Sequence, residues 1–190
     1  MAPEQTDRLK CHSDYTIGWV CAILPELTAA TAMLDEVHKD ELPSPENEDN
    51  TYTRGRIGKH HIVIACLPAG TIGTNAAAAL VKQMLRTFPK IRFGLMVGVG
   101  GGIPNLPHND VRLGDVVVNL AQDGHGGVVQ WDFGKVEQTG FRRTGHLQKS
   151  PTILRSAVIK LGIDMRWRGP RFRRTLIRWL KNGQGWLPIT

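Results

Sequence analysis

Apolar residues along this chain recur with two alternating periods, and the alternation predicts a layered α/β fold. Tyr15 to Ala22 (YTIGWVCA) is apolar at odd and even positions alike, the pattern of a strand covered on both faces. Pro25-Glu26 follows directly, and proline suits the first turn of a helix. Leu27, Ala30, Met33, Leu34 and Val37 then recur at helical spacing, so a helix is expected from about Pro25 to His38. The prolines and acids of ELPSPENEDN, residues 41 to 50, read as a solvated loop. Thr51 to Ile57 and His61 to Leu67 read as two strands joined by a reversal at Gly58-Lys59.

A second helix is expected after the glycines of PAGTIGTNAAAALVKQMLRTFP, where Gly70 and Gly73 permit a tight loop and Thr74 is available to cap. Ala77, Leu80, Val81, Met84, Leu85 and Phe88 form its apolar stripe, which stops at Pro89. Ile91 to Val97 is the next buried strand, Leu113 to Leu120 another, and Gly127 to Phe133 one more. In that last segment the aromatic residues around Asp132, Trp131 and Phe133, read as strand packing against a neighbouring sheet. Such alternation implies a mixed, largely parallel sheet with helices on both faces and ligands beyond the carboxyl ends of the strands.

The length of 190 residues allows one sizeable core. No amino-terminal apolar segment and no stretch near the ~20 residues of a membrane span occurs, and Cys11, Cys21 and Cys66 form no CxxC pair. A cytoplasmic protein without a membrane span is expected. The formal charge of +7 is uneven: residues 151 to 190 hold nine Lys/Arg against Asp164 alone, while the preceding 150 residues are nearly balanced. Between Arg166 and Lys181 seven basic residues alternate with Trp167, Phe172 and Trp179. That composition suits a nucleic acid or an anionic surface, and equally a solvated disordered terminus.

The chemistry concentrates at MVGVGGGIP, residues 96 to 104, where a buried strand ends in bare backbone. Glycines there let N–H groups approach a ligand, although a tight turn with close packing requires them equally. The sixth position counted from Gly98 is Ile103, so the run is no dinucleotide fingerprint, and GK[ST] is missing, so it is no P-loop. His60, His61, His108, His125 and His146, five of the seven histidines, lack metal-ligand spacing, and no metal is assigned.

Five stretches in order, IGWVCAILPE, TYTRGRIGKHHIVIACLPAGTIGTNAAAA, IRFGLMVGVGGGIP, DVRLGDVVVN and GGVVQWDFGK, resemble the purine and uridine phosphorylase superfamily. More narrowly, they are similar to the nucleoside phosphorylase-like domain at the amino terminus of fungal multidomain proteins, where it is often joined to a nucleotide-binding signalling module or to repeats. The likeness runs from about Tyr15 to about Ala157. It implies a three-layer α/β sandwich that cleaves the N-glycosidic bond of a purine nucleoside, with phosphate as acceptor in phosphorylases and water in nucleosidases. No cofactor is implied beyond phosphate as a co-substrate, and a homo-oligomer is, because members commonly complete their sites by association.

The resemblance places Glu26 where nucleosidases carry the glutamate that positions the attacking water, although a first-turn glutamate is also favoured by the helix dipole. Gly70, Thr71, Gly73 and Thr74 match the loop near phosphate or ribose, with helix capping as the other reading. Gly98, Gly100, Gly101 and Gly102 match the glycine turn beside sugar and base.

Departures from the family pattern shift the expectation. The GDPxR-like loop and the turn arginine of phosphorolytic members are replaced by Cys21 to Glu26 and by Val97. Phosphate would then depend on backbone donors or on an arginine such as Arg54 or Arg56, and hydrolysis gains weight. After residues 143 to 162 the likeness stops, and with it the acidic segments that hold ribose and act on the base. The expected organisation is a disordered stretch at 1 to 14, a partial phosphorylase-like domain at 15 to 160 that is incomplete at its carboxyl end, and a basic tail at 161 to 190. Two functions follow: nucleoside cleavage, weakened by the altered end, or nucleoside sensing without turnover in a fungal signalling protein.

Overall fold

A computed structural model of the protein describes residues 11–104, 111–121 and 126–168. The chain divides into two compact units, Met1–Gly101 and Gly102–Thr190. In the first, β1 (Ile17–Cys21) is buried at all five positions and lies between two parallel neighbours, β4 (His60–Cys66) and β5 (Phe93–Met96). Antiparallel pairing then adds β3 (Tyr52–Ile57) to β4 and the short β2 (Glu36–Val37) to β3, giving the order β2-β3-β4-β1-β5. The fold is mixed α/β, but two of its four strand pairings are antiparallel, so the sheet is evenly mixed rather than largely parallel.

Alternate residues of the central strands feed two separate cores. Val20, Val63 and Ala65 pack with Leu80, Met84 and Phe88, which lie along and just beyond α2 (Thr74–Thr87). Ile17, Trp19, Cys21, Ile62 and Ile64 pack instead with Ala30 and Leu27 of α1 (Leu24–Ala32). Side chains alternate across a strand, so one helix covers each face, as the doubly apolar pattern of YTIGWVCA required. The Gly58-Lys59 reversal is present, with Ile57 paired to His60.

α1 ends at Ala32, short of the expected His38. The Asp35 N–H donates to the Arg56 carbonyl at 2.8 Å, the His38 N–H to Arg54 at 2.8 Å, and the Asp35 carboxylate accepts from the Gly58 N–H at 2.7 Å. Tertiary partners on β3 thus outbid helical spacing, and Leu34 reaches the sheet core from this edge segment. His12–Asp14 form a 3-10 turn in which the Asp14 carboxylate accepts from the Cys11 N–H, and residues 1–10 of the expected amino-terminal stretch lie outside the described residues.

The second unit contains a hairpin, β6 (Gly134–Glu137) with β7 (Gly140–Arg143), and α3 (Thr152–Arg168), which runs through residue 160 without a break. Two expected strands are absent. Leu113 to Leu120 makes no ladder, and Val116 and Val117 are exposed, because a β-branched run becomes a strand only where a neighbour supplies pairing groups. Gly127 to Phe133 is likewise irregular, with Trp131 exposed rather than packed against a sheet, and pairing begins one residue later at Gly134. The aromatic and basic residues Phe172 to Lys181 lie outside the described residues. No described helix is long and apolar enough to cross a membrane.

Candidate functional site

Because β4, β1 and β5 run parallel, the segments that follow them leave from one rim of the sheet. The helix after β1 covers one face of the sheet and the helix after β4 the other, so the carboxyl ends of β1 and β4 flank the point where such a sheet opens a crevice. The segments after β1 and β5 meet on that same rim. Glu26 and the glycine turn both lie there.

Glu26 is the third residue of α1, after Leu24 and Pro25. Its Oε2 accepts from the Ala22 N–H at 2.6 Å and from the Ile23 N–H at 3.3 Å, closing the first turn of the helix. Its Oε1 accepts from the Val99 N–H at 2.8 Å, which ties the end of β1 to the end of β5. A Cβ at Gly98 would stand 2.5 Å from that Oε1 and 3.0 Å from Cδ, so only glycine admits the carboxylate. The strand therefore ends in a glycine because an acid from the neighbouring turn passes over it.

Burial works to raise the Glu26 pKa, yet the N–H groups of Ala22, Val99 and Ile23 together outweigh it and hold the carboxyl below its ordinary value. A carboxylate has roughly four acceptor positions, and three are occupied, leaving about one, on Oε1. Beneath the rim Cys21 and Cys66 are register partners. Burial, then the Cys66 thiol and the Glu26 charge, push Cys21 up to about 11, and burial with Glu26 raises Cys66. Both thiols stay protonated at neutral pH. The rim thus carries one fixed anion.

The loop after β4 turns at Pro68–Thr71, where the Thr71 N–H donates to the Pro68 carbonyl at 3.0 Å and Gly70 takes φ +77°, the third position of a type II turn. Gly73, with φ +99°, is the N-cap of α2, so Thr74 is the first helical residue and not the cap expected of it. The loop and the Glu26–Gly98 contact leave opposite sides of β1 on the same rim. Gly100 and Gly101 meet nothing within 4 Å and have no positive φ, so they expose bare backbone. Gly102 opens the second unit and lies beside Val111.

Arg54 and Arg56 do not reach this rim. Their register partners are Val63, the middle residue of β4, and His61, near its start, so Arg54 sits midway along the strands and Arg56 toward the opposite end of the sheet. Arg54 binds the Asp40 carbonyl, and Arg56 pairs with Glu36 at 3.0 Å and with the Gly58 carbonyl at 2.8 Å. The expectation that either arginine serves phosphate at the glycine turn is therefore corrected: antiparallel β3 carries them away from it. Among the described residues no group of three or more His, Cys, Asp or Glu is placed to hold a metal.

Two features were missed in the sequence. The Val99 N–H is a partner of Glu26, 73 residues away, and no local pattern signals it. The rim also bears exposed apolar side chains after all three strands: Ile23 and Leu24 after β1, Ile72 after β4, and Met96, Val97 and Val99 around the end of β5. Apolar residues in loop positions were the available signal for these.

The chain is similar to a nucleotide-binding leucine-rich repeat (NLR)-like protein of the fungus Hyaloscypha variabilis, 54% identical over 148 residues. That alignment covers 78% of this chain and spans about 15% of the relative's length. No family model matches the sequence, and no solved structure matches it.

Proposed function

We propose that the first unit binds a purine nucleoside at the rim of β1 and β5, as the sensing part of a fungal NLR-like signalling protein, without cleaving it. The observation that carries this reading is the state of Glu26. A general base works best with a pKa near the operating pH, whereas this carboxyl is held below its ordinary range by three backbone donors. Such a group is a poor proton acceptor but a good fixed hydrogen-bond acceptor, with about one position left for a sugar hydroxyl. The exposed apolar residues beside it suit the faces of a base. Among the described residues of the first unit, Arg54 and Arg56 are engaged away from the rim, which favours binding over phosphorolysis. The phosphorylase-like character of the motifs supports a nucleoside as the ligand, and the name of the fungal relative supports a signalling setting.

Cleavage by water is the second reading. It is favoured by one observation, that Glu26 stands beside the glycine turn where a water-positioning glutamate would work.

Calorimetric titration with adenosine, inosine and guanosine, paired with chromatographic detection of free base with and without phosphate, separates the two. Micromolar binding without base release is expected. Glu26→Gln should weaken binding roughly tenfold, the worth of one hydrogen bond to a charged acceptor. Base release that Glu26→Gln abolishes would replace sensing by hydrolysis, and absence of binding to any of the three would sink both readings.

A further inference from the structure

The hairpin of the second unit borders a cavity that no part of the nucleoside reading uses. It is an open pocket of about 600 Å³ whose lining includes Phe141, Arg142, Arg143, His146, Val128 and Val129. A smaller cavity of about 200 Å³ adjoins it, sharing Gln130, Gly145 and His146, and is walled by Phe133 and Leu147. One compartment is cationic and the next apolar.

The hairpin register decides which charge is available. Arg142 lies opposite Lys135, and its guanidinium is held by the Glu137 carboxylate at 2.7 Å. Arg143 lies opposite Gly134, on the same hairpin face as Phe141, and its guanidinium has no ion pair among the described residues. Phe141 packs close over Gly134, where an added Cβ would stand 2.6 Å from the ring. Phe133 approaches Gly145 less tightly, with 3.0 Å to a Cβ there, and of the two compartments it lines the smaller alone. An uncompensated guanidinium suits a phosphate or similar oxyanion, which it can grip with two parallel N–H donors. The smaller compartment is an open pocket of about 200 Å³ whose apolar surface is Phe133 and Leu147, both exposed, so a planar ring can lie against them.

We propose that this bipartite cavity binds a phosphate ester of a planar ring, the phosphate on Arg143 and the ring against Phe133 and Leu147. A nucleoside monophosphate has that chemistry. The site is independent of the nucleoside rim: it draws on residues 128 to 147 alone and does not involve Glu26.

The test is calorimetric titration of the full chain with AMP, adenosine and inorganic phosphate. AMP is expected to bind. Arg143→Glu should weaken it by at least about tenfold, because charge reversal turns attraction of the phosphate into repulsion. Phe133→Ala should weaken AMP by a similar factor, since it removes the aromatic wall. Arg143→Lys keeps the charge but not the fork, and should retain AMP within about tenfold, which separates loss of charge from loss of folding. Adenosine binding should be unchanged by Arg143→Glu and weakened by Glu26→Gln, so failure of the rim reading and failure of this one give different patterns. Inorganic phosphate binding as tightly as AMP would remove the ring from the proposal. AMP that fails to bind, or binds with an affinity indifferent to both Arg143→Glu and Phe133→Ala, would overturn it.

Discussion

At the scale of single residues, the rim depends on Gly98 admitting Glu26. Two glycines of the same turn make opposite demands. Gly98→Ala would place a methyl group 2.5 Å from Glu26 Oε1, forcing the carboxylate off the Val99 N–H. Gly100→Ala meets nothing within 4 Å and has no positive φ to relieve. Urea denaturation should therefore show Gly98→Ala destabilised by about 1 to 3 kcal/mol, the cost of a disrupted hydrogen bond to a charged group, and Gly100→Ala within about 0.5 kcal/mol of the parent. Equal effects would mean that the Glu26 bridge contributes nothing. The contrast also separates two reasons for glycine that look identical in the string GVGGG: close approach of a side chain at one position, exposed backbone at another.

At the scale of elements, the sheet edge is as instructive as its centre. Helical spacing continues through Leu34 and Val37, yet β2 forms there because Asp35 and His38 find backbone partners on β3. The apposition is tight at Gly55, where a Cβ would meet the Glu36 carbonyl oxygen at 2.5 Å and Leu34 Cδ1 at 2.5 Å. A backbone atom cannot move aside as a flexible side chain can. Gly55→Ala should therefore cost about 1 to 3 kcal/mol through overpacking and should raise amide exchange at Asp35 and His38 above that of β1. Unchanged exchange at those two amides would show that the edge strand is held by something other than this pairing. The central strands were legible for the complementary reason: burial on both faces of β1 and β4 leaves an unbroken apolar run, and α2 carries its stripe at Leu80 and Met84 without interruption.

At the scale of the whole molecule, pH acts on the rim from both sides. The Glu26 pKa is lower folded than unfolded, so its contribution is fully present above the ordinary 4.5 and is lost as pH falls through the folded value. Cys21 has the opposite sign: burial lifts it from 9.0 to about 11, so between these values the unfolded chain has released a proton that the folded chain keeps. Stability then falls as pH rises above 9. Thermal melting across pH should show a plateau bounded by these two declines, and Cys21→Ser should flatten the alkaline one. An alkaline limb unchanged in Cys21→Ser would assign it to another group.

Much of the architecture was legible in local pattern. Both helices of the first unit and the Gly58-Lys59 hairpin could be read from periodicity and glycine placement, because those signals arise within a few residues of chain. Leu113 to Leu120 and Gly127 to Phe133 could not, since an apolar run states only that a segment is able to pair. Arg54 and Arg56 were misplaced for the same reason: their side-chain chemistry was visible, but the antiparallel direction of β3 was not.

Residue order alone determined that this chain would build strands buried on both faces, separate them with an amphipathic helix, and end β5 in a glycine turn. Each of those outcomes follows from side-chain size and polarity over one or two turns of chain. Tertiary structure alone decided that Glu26 would lie on the Val99 N–H, that the arginines of β3 would lie away from the rim, and that Glu137 would pair with Arg142 while Arg143 has no ion pair among the described residues. Those facts depend on which distant groups come within about 3 Å, a range over which hydrogen bonds and charges act, and chain folding sets such distances in a way that sequence spacing does not record.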